Sequence, residues 1–332
     1  MIMSKPSGLK PWHLVADIGG TNARFARKAC DSNALTDITR ISVAGHENFI
    51  HALEECMEAM AKDSAWEQYP EEACFAVACR TDHDEISFTN SPWHFSRRAA
   101  SSALGNVRLQ LINDFAAQGY AISKLGEDDW VQVGGLEPET GKPIAILGPG
   151  TGLGVSLVVP AGQSFSVVDG EGGHVDFAPL DDDEYAVLNV LKDRFGRVSV
   201  ERLLSGSGIL NIYQALCLLG HKNAVQKSPE EISEAALHDT DGVAVETLHM
   251  FCRVLGSVAG NMALTAGTRG GVYITGGIVP AMRDFFINSG FRQRFEDKGR
   301  FSDYLGTIPV RLVIHETLGL VGAANRLTMA SW

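Results

Sequence analysis

Four glycine-rich segments and one Asn-Asp pair hold the residues best suited to chemistry. In Asp17-Ile18-Gly19-Gly20-Thr21-Asn22-Ala23-Arg24, two glycines permit close backbone approach and positive φ, so amide groups can point at phosphate oxygens. Thr21 adds a hydroxyl, and Asp17, closing an apolar run, suits a Mg2+ ion held through water. A plain hairpin turn accounts for the same glycines, since Gly-Gly is a common turn dipeptide. The spacing matches neither a Walker P-loop nor a Rossmann fingerprint. Gly148-Pro149-Gly150-Thr151-Gly152-Leu153-Gly154 places four glycines in seven positions, more than a hairpin needs. Two loops of one type suit a triphosphate gripped from both sides of a cleft.

Asn113-Asp114 follows the strand-like run Val107-Arg108-Leu109-Gln110-Leu111-Ile112. A carboxylate at the carboxyl end of a buried strand lies where open α/β sheets bind ligands, and an Asp there can accept a hydroxyl proton during phosphoryl transfer. The same pair also reads as the N-cap of the next helix. Gly170-Glu171-Gly172-Gly173-His174 combines a hydrogen-bond acceptor with a donor, the inventory for reading sugar hydroxyls. Its alternative is a lone structural histidine, and no Cys or His follows at zinc-ligand spacing. Glu201, in Ser199-Val200-Glu201-Arg202, is either a further polar contact or a solvated residue of a helix capped by Ser199. Gly276-Gly277, after the strand-like run Val272 to Thr275, suits a flat adenine or ribose against backbone, or else tight strand-to-helix packing.

The elements that must position these residues follow from pattern. Strands are expected at Leu14–Ile18, Ala23–Ala29, Ile38–Ala44, Cys74–Cys79, Glu85–Thr89 and Val107–Ile112. Helices are expected at His46–Met60, Ser96–Leu104 and Phe115–Leu125. The second half repeats the opening: a strand at Pro143–Leu147, a Gly/Thr turn, and a return strand at Val155–Val159. This is an internal structural duplication. Helices then dominate, at 183–195, 200–204, 208–219, 229–237 and 243–265, before strands at 271–275 and 310–314, a helix starting near Pro280 and a last helix at 320–328. No Ser/Pro-rich linker separates the halves, so two domains are expected to abut at a cleft and share a hinge.

Composition sets the outer bounds. A chain of 332 residues with 45% hydrophobic content and mean hydropathy near zero is long enough for two cores and is neither disordered nor membrane-spanning by composition. The net charge of −12 argues against a nucleic-acid surface, although amides and Mg2+ still allow nucleotide binding. Cys30, Cys56, Cys74, Cys79, Cys217 and Cys252 form no C-x-x-C pair and read as reduced, mostly buried thiols. The first ten residues lack the apolar core of a secretory signal, so a flexible tail and a cytoplasmic location are expected.

Together the segments DIGGTNAR, LINDFAA, GPGTGLGVS, GEGGHVDFAP, VERLLSGSGI, GGVYITGGIVP and FEDKGRFSDYL resemble the bacterial glucokinase family, ATP-dependent members of the actin, hexokinase and Hsp70 superfamily. The resemblance runs in order from Asp17 to beyond Leu305. It implies an α/β fold of two ribonuclease-H-like (actin-like ATPase) domains with an interdomain cleft, a smaller one at 1–112 plus 316–332 and a larger one at 113–315. The implied activity is transfer of the ATP γ-phosphoryl group to the 6-hydroxyl of glucose, the entry step of glycolysis. Asp114 is the implied general base, and Asn113, Glu171, His174 and Glu201 the implied sugar ligands. Asp17, Gly19, Gly20, Thr21 and Asn22 belong to the first phosphate loop, Gly150, Thr151 and Gly152 to the second, and Gly276 and Gly277 to the purine site. ATP and Mg2+ (at Asp17, through water) are the implied cofactors, with glucose and ATP as ligands and a homodimer as the assembly.

There are departures. Arg80 follows Ala78-Cys79 where the family usually has Pro, Thr81 to Glu85 is unusually polar, and Ser91-Pro92 replaces a polar pair before Trp93. The cysteine cluster of the related repressor and open-reading-frame kinases is absent after His174, so no zinc is expected. A kinase for mannose, fructose or an N-acetylhexosamine is a competing expectation. A sugar-sensing repressor would need a basic DNA-binding module, and sixteen residues precede Asp17. A filament or chaperone ATPase gives no reason for the Glu171/His174 pair.

Overall fold

The computed structural model describes residues 8–88, 91–221 and 227–329. The expected N-terminal tail through Ser7, and Thr89 at the end of one expected strand, lie outside them. The chain divides into two compact units, one of residues 1–125 with 316–332, the other of residues 126–315.

The first unit is built on five strands, β1 (Trp12–Ile18), β2 (Asn22–Ala29), β3 (Leu35–Ser42), β4 (Glu72–Val77) and β7 (Arg108–Asn113), in the order β3-β2-β1-β4-β7. A separate ribbon pairs β5 (Glu85–Ser87) with β6 (His94–Ser96). β1 runs antiparallel to β2 and parallel to β4, which is parallel to β7. Alternation along β1 sends Leu14, Ala16 and Ile18 to one core and Val15 to another, the period-two consequence of the pleat. The larger core holds Phe25, Phe49, Phe75, Trp93 and Phe95, with Phe49 stacked on Phe95 at 4.1 Å between centroids. α1 (Phe49–Met60), capped by Asn48, and α2 (Arg97–Ala103), capped by Ser96, start where a side-chain oxygen accepts a first-turn amide. α3 (Asp114–Ala121) follows β7, and α12 (Leu318–Thr328) returns from the chain's end to cover Val15, Ala26 and Cys74.

The first unit therefore extends to Leu125, beyond the expected break at 112/113. α3 belongs to it because α12 lies directly on α3. A side chain at Gly322 would run into the Ala117 carbonyl, and Asn325 Nδ2 donates to Tyr120 O at 2.7 Å.

The second unit repeats the strand pattern. Its sheet runs β11 (Ser164–Gly170), β10 (Leu153–Ala161), β9 (Ile144–Pro149), β12 (Val272–Ile274), β13 (Val310–Val313), then β8 (Trp130–Gln132). β9 is antiparallel to β10 and parallel to β12, which is parallel to β13. The β9–β10 hairpin thus occupies the sheet position that β1–β2 holds in the first unit, as the duplication requires. β8 and β11 escaped the sequence reading: both are short or half-exposed edges, where burial imposes little pattern. α4 (Asp182–Phe195), α5 (Gly206–Leu219), α6 (Pro229–Leu237) and α7 (Gly242–Ala266) are followed by four short helices, α8 (Ile278–Ala281), α9 (Arg283–Ile287), α10 (Phe291–Glu296) and α11 (Ser302–Thr307). α7 is long and apolar enough to cross a membrane, yet 67% of its apolar window is buried inside the protein, so it reads as a core helix. All six cysteines are free, with Cys56, Cys74, Cys217 and Cys252 buried.

Candidate functional site

The predicted residues collect in two places, one in each unit, both at carboxyl ends of parallel strands. In the first unit the pairing register aligns Ile18 with Val77 and Val77 with Asn113. The chain leaves β1 through Gly19 and Gly20 and leaves β7 into α3 at this same end.

The β1–β2 turn is closed by the Gly19 amide donating to Asn22 O at 3.0 Å, and Val43 N donates to Thr21 O at 3.0 Å. Neither Gly19 nor Gly20 takes a positive φ, contrary to the expectation for this loop. Backbone handedness therefore does not require glycine here. Asn22 Nδ2 donates to Thr21 Oγ1 at 3.0 Å, and Arg40 Nε donates to Asn22 Oδ1 at 3.1 Å, so the loop's polar side chains are mutually braced.

Asn113 is the N-cap of α3: its Oδ1 accepts from Phe115 N at 2.9 Å and Ala116 N at 3.2 Å. The cap reading is correct for Asn113, and its carbonyl oxygen is committed to the helix. Asp114 is the first helical residue, where the helix dipole favours negative charge, and its Oδ1 accepts from Phe115 N at 3.0 Å. Burial nevertheless pushes its carboxyl up to about 7; the neighbouring Asp17 charge adds to the rise, and hydrogen bonds from Phe115 and Asn113 oppose it. Asp17 is also raised by burial, opposed by Arg24, whose Nη1 lies 3.4 Å from Asp17 Oδ2. Two mutually repelling carboxylates with one cation beside them fit a divalent ion. No cluster of three or more His, Cys, Asp or Glu able to hold a metal occurs among the described residues. The donor set thus suits a Mg2+ ion that keeps most of its waters and takes further oxygens from a ligand.

In the second unit, Gly150 N donates to Gly152 O at 2.8 Å, folding the glycine loop back on itself. Glu201 sits under this loop: Leu153 N donates to Glu201 Oε2 at 2.8 Å, and a Cβ at Gly152 would come within 2.6 Å of that oxygen. Ser199 provides no side-chain cap to the single 3-10 turn at Val200–Arg202, so Glu201 is not a solvated helix residue. Its other oxygen lies 3.9 Å from His174 Nδ1, and His174 Nε2 lies 3.9 Å from Glu171 Oε2. Glu171 and His174 are 82% and 58% exposed, Glu201 only 31%, so the first two are available to a ligand.

Gly276 has φ of +81° and would collide with Pro149 O if it carried a Cβ. The purine-loop candidate and the second glycine loop are therefore in contact, and Thr275 N donates to Leu147 O at 2.8 Å. Gly150 and Gly277 have open space at the Cβ position and no positive φ, so neither packing nor handedness in the protein demands glycine there. One partner was missed. Gly206 N donates to Gly150 O at 2.9 Å, and Ser205 caps α5 through Gly208 N at 3.0 Å, bringing a helix N-terminus to the loop. The Ser205-Gly206-Ser207-Gly208 run was the available sign. Backbone amides and a helix N-terminus together offer an anion a positive field.

The departing segments have their own ties. Arg80 Nη2 donates to Asp82 Oδ2 at 2.7 Å and Arg97 Nη2 to Thr81 O at 2.8 Å, which closes the polar turn onto α2. Ser91 Oγ accepts from Trp93 N at 3.2 Å.

A family model described as Glucokinase matches residues 14–330. A glucokinase from Hahella chejuensis is 44% identical over 318 residues, which is 95% of this chain and 96% of that one. The crystal structure of a glucokinase from an Antarctic psychrotroph matches with a TM-score of 0.85 at 35% identity, covering 96% of this chain and 98% of that one. A ROK family glucokinase from Streptomyces griseus, in complex with glucose and AMPPNP, matches with a TM-score of 0.62 at 18% identity over 95% of this chain and 98% of that one. The last likeness is one of fold alone.

Proposed function

The chain belongs to the glucokinase family of sugar kinases, and on that footing we propose that it transfers the γ-phosphoryl group of ATP to the 6-hydroxyl of glucose. Asp114 takes the proton from that hydroxyl as the new O–P bond forms and the bond to ADP breaks. One observation carries this role: a buried carboxylate at the end of β7, pushed up to about 7 by burial and by Asp17, is basic enough to accept a proton and ionised enough to be ready.

Glu171, His174 and Glu201 bind the remaining hydroxyls, with Glu201 fixed by the Leu153 amide. Asn113 contributes less directly, because its oxygen caps α3, and it steadies Asp114. Gly19, Gly20, Thr21 and Asn22 take phosphate on one loop and Gly150, Thr151 and Gly152 on the other. Gly276 and Gly277 lie against the purine; the open space at Gly277 supports that. Asp17 holds Mg2+ through water, and the ion when bound neutralises charge on the phosphates. The two units, with their matching strand orders, are the two ribonuclease-H-like domains of an actin-like ATPase. A cytoplasmic homodimer completes the reading.

The test is a coupled assay across glucose, mannose, fructose and N-acetylhexosamines with ATP, ADP and polyphosphate as donors. Glucose with ATP and Mg2+ is expected to give glucose 6-phosphate. Equal ATP consumption with and without a hexose would sink the kinase reading.

A further inference from the structure

α12 opens Leu318-Gly319-Leu320-Val321-Gly322-Ala323-Ala324, with two glycines three residues apart and hence on one face. That face meets two different partners. At Gly322 the neighbour is backbone, the Ala117 carbonyl of α3. At Gly319 the neighbour is a functional side chain: an added Cβ would lie 2.6 Å from Asp17 Cγ, 2.8 Å from Oδ2 and 2.9 Å from Oδ1. All three distances fall well inside ordinary carbon contact separations of about 3.5–4.0 Å.

The helix has little freedom to retreat. Leu320, Ala323 and Ala324 are buried against Val15, Ala26 and Cys74, and Asn325 Nδ2 donates to Tyr120 O at 2.7 Å and Ser123 Oγ at 3.2 Å. Asp17 is the softer partner, a short side chain on a buried strand with Arg24 Nη1 3.4 Å from its Oδ2. A methyl group at 319 must therefore move the carboxylate.

We propose that Gly319 is a positioning residue for the magnesium nucleotide: its bare Cα is the wall against which the Asp17 carboxylate rests. The proposal rests on the role given to Asp17 above. Gly319 touches no reacting atom itself and acts through Asp17.

A double-mutant cycle tests it, using G319A, D17A and the double variant, with G322A and G322A/D17A as the packing control. Thermal unfolding of the ligand-free proteins is the first readout. G319A is expected to lower Tm in the wild-type background, and most of that loss is expected to vanish once Asp17 is Ala, because the new methyl then has room. G322A is expected to cost the same in both backgrounds. If G319A does not accumulate, recovery of soluble double variant is the same readout, and failure to recover overturns the proposal.

The second readout is kinetic, in the Asp17 background. The Mg2+ concentration for half-maximal rate at fixed ATP is expected to rise about tenfold in G319A while KM for glucose stays within about twofold, the split for an interaction confined to one substrate. Additive unfolding losses, or equal shifts for glucose and Mg2+, would overturn the proposal. If the wild-type protein fails to phosphorylate glucose, the functional reading falls with the kinetic arm. The unfolding cycle still decides whether Gly319 acts through Asp17.

Discussion

The Leu153 amide donates to Glu201 Oε2 at 2.8 Å, so one carboxylate both supports the second glycine loop and, through its other oxygen 3.9 Å from His174, faces the pair proposed to read the sugar. E201A removes the acceptor and leaves the Leu153 N–H without its partner, at a cost of about 1–3 kcal/mol. We expect KM to rise for both ATP and glucose. E201Q retains an acceptor oxygen and is expected to keep most of the stability. Urea unfolding and steady-state kinetics on both variants check this, and an E201A protein of unchanged stability would remove the loop-supporting role.

The turn after β4 departs from the family, yet its Arg80–Asp82 pair is solvent-facing, with side chains 77% and 50% exposed. Exposed pairs of this kind contribute little. R80A is expected to change unfolding free energy by about 0.5 kcal/mol or less and to leave KM for glucose essentially as it was. A large KM increase would show that this turn takes part in sugar binding.

Sequence alone was sufficient where burial or a cap imposes a pattern. β1 and β9 are apolar runs because they lie inside their sheets, and Ser96 caps α2 as read. Edges such as β8 and β11 escaped because exposure relaxes the alternation. The candidate site residues stand out in the sequence by type, but what each one touches does not. Asn113 and Asp114 are neighbours in sequence, and only the structure separates the cap from the buried carboxylate. Glu201 was open between a polar contact and a solvated residue because its partner, Leu153, lies 48 positions away. Gly319 carried no sign at all, since a glycine in a helix declares its purpose only through what stands opposite.

The raised carboxyl of Asp114 has a sign that can be checked. Its folded value of about 7 exceeds the ordinary 3.8, so folding favours the protonated form. That contribution to stability is full below the ordinary value and is lost as pH rises through about 7. Asp17 is shifted in the same direction by burial, and its charge contributes to the rise at Asp114. Wild-type Tm is therefore expected to fall between pH 5 and pH 8 by more than that of D114N, with the variant gaining most at pH 8. Parallel Tm profiles for the two proteins would rule out a raised Asp114.

The sharpest separation of roles is between Asp114 and Glu171. D114N keeps shape and hydrogen-bonding capacity while removing the proton acceptor, so kcat is expected to fall about 10²-fold or more, the usual scale for a general base. Because the Asp114 carboxyl is raised to about 7, wild-type kcat/KM is expected to rise as pH passes through that value, and D114N is expected to lose that rise. Glucose binding should weaken far less, because Glu171, His174 and Glu201 remain in the second unit. E171Q should show the opposite split. Glu171 is 82% exposed and is proposed to bind a hydroxyl only, so its loss is expected to raise KM for glucose about tenfold, the size of one charge-assisted hydrogen bond, with kcat nearly retained. Calorimetry with glucose and steady-state kinetics on both variants decide the matter. A D114N protein with near-normal kcat would reduce Asp114 to the opening residue of α3, and an E171Q protein with unchanged KM would remove Glu171 from the sugar site.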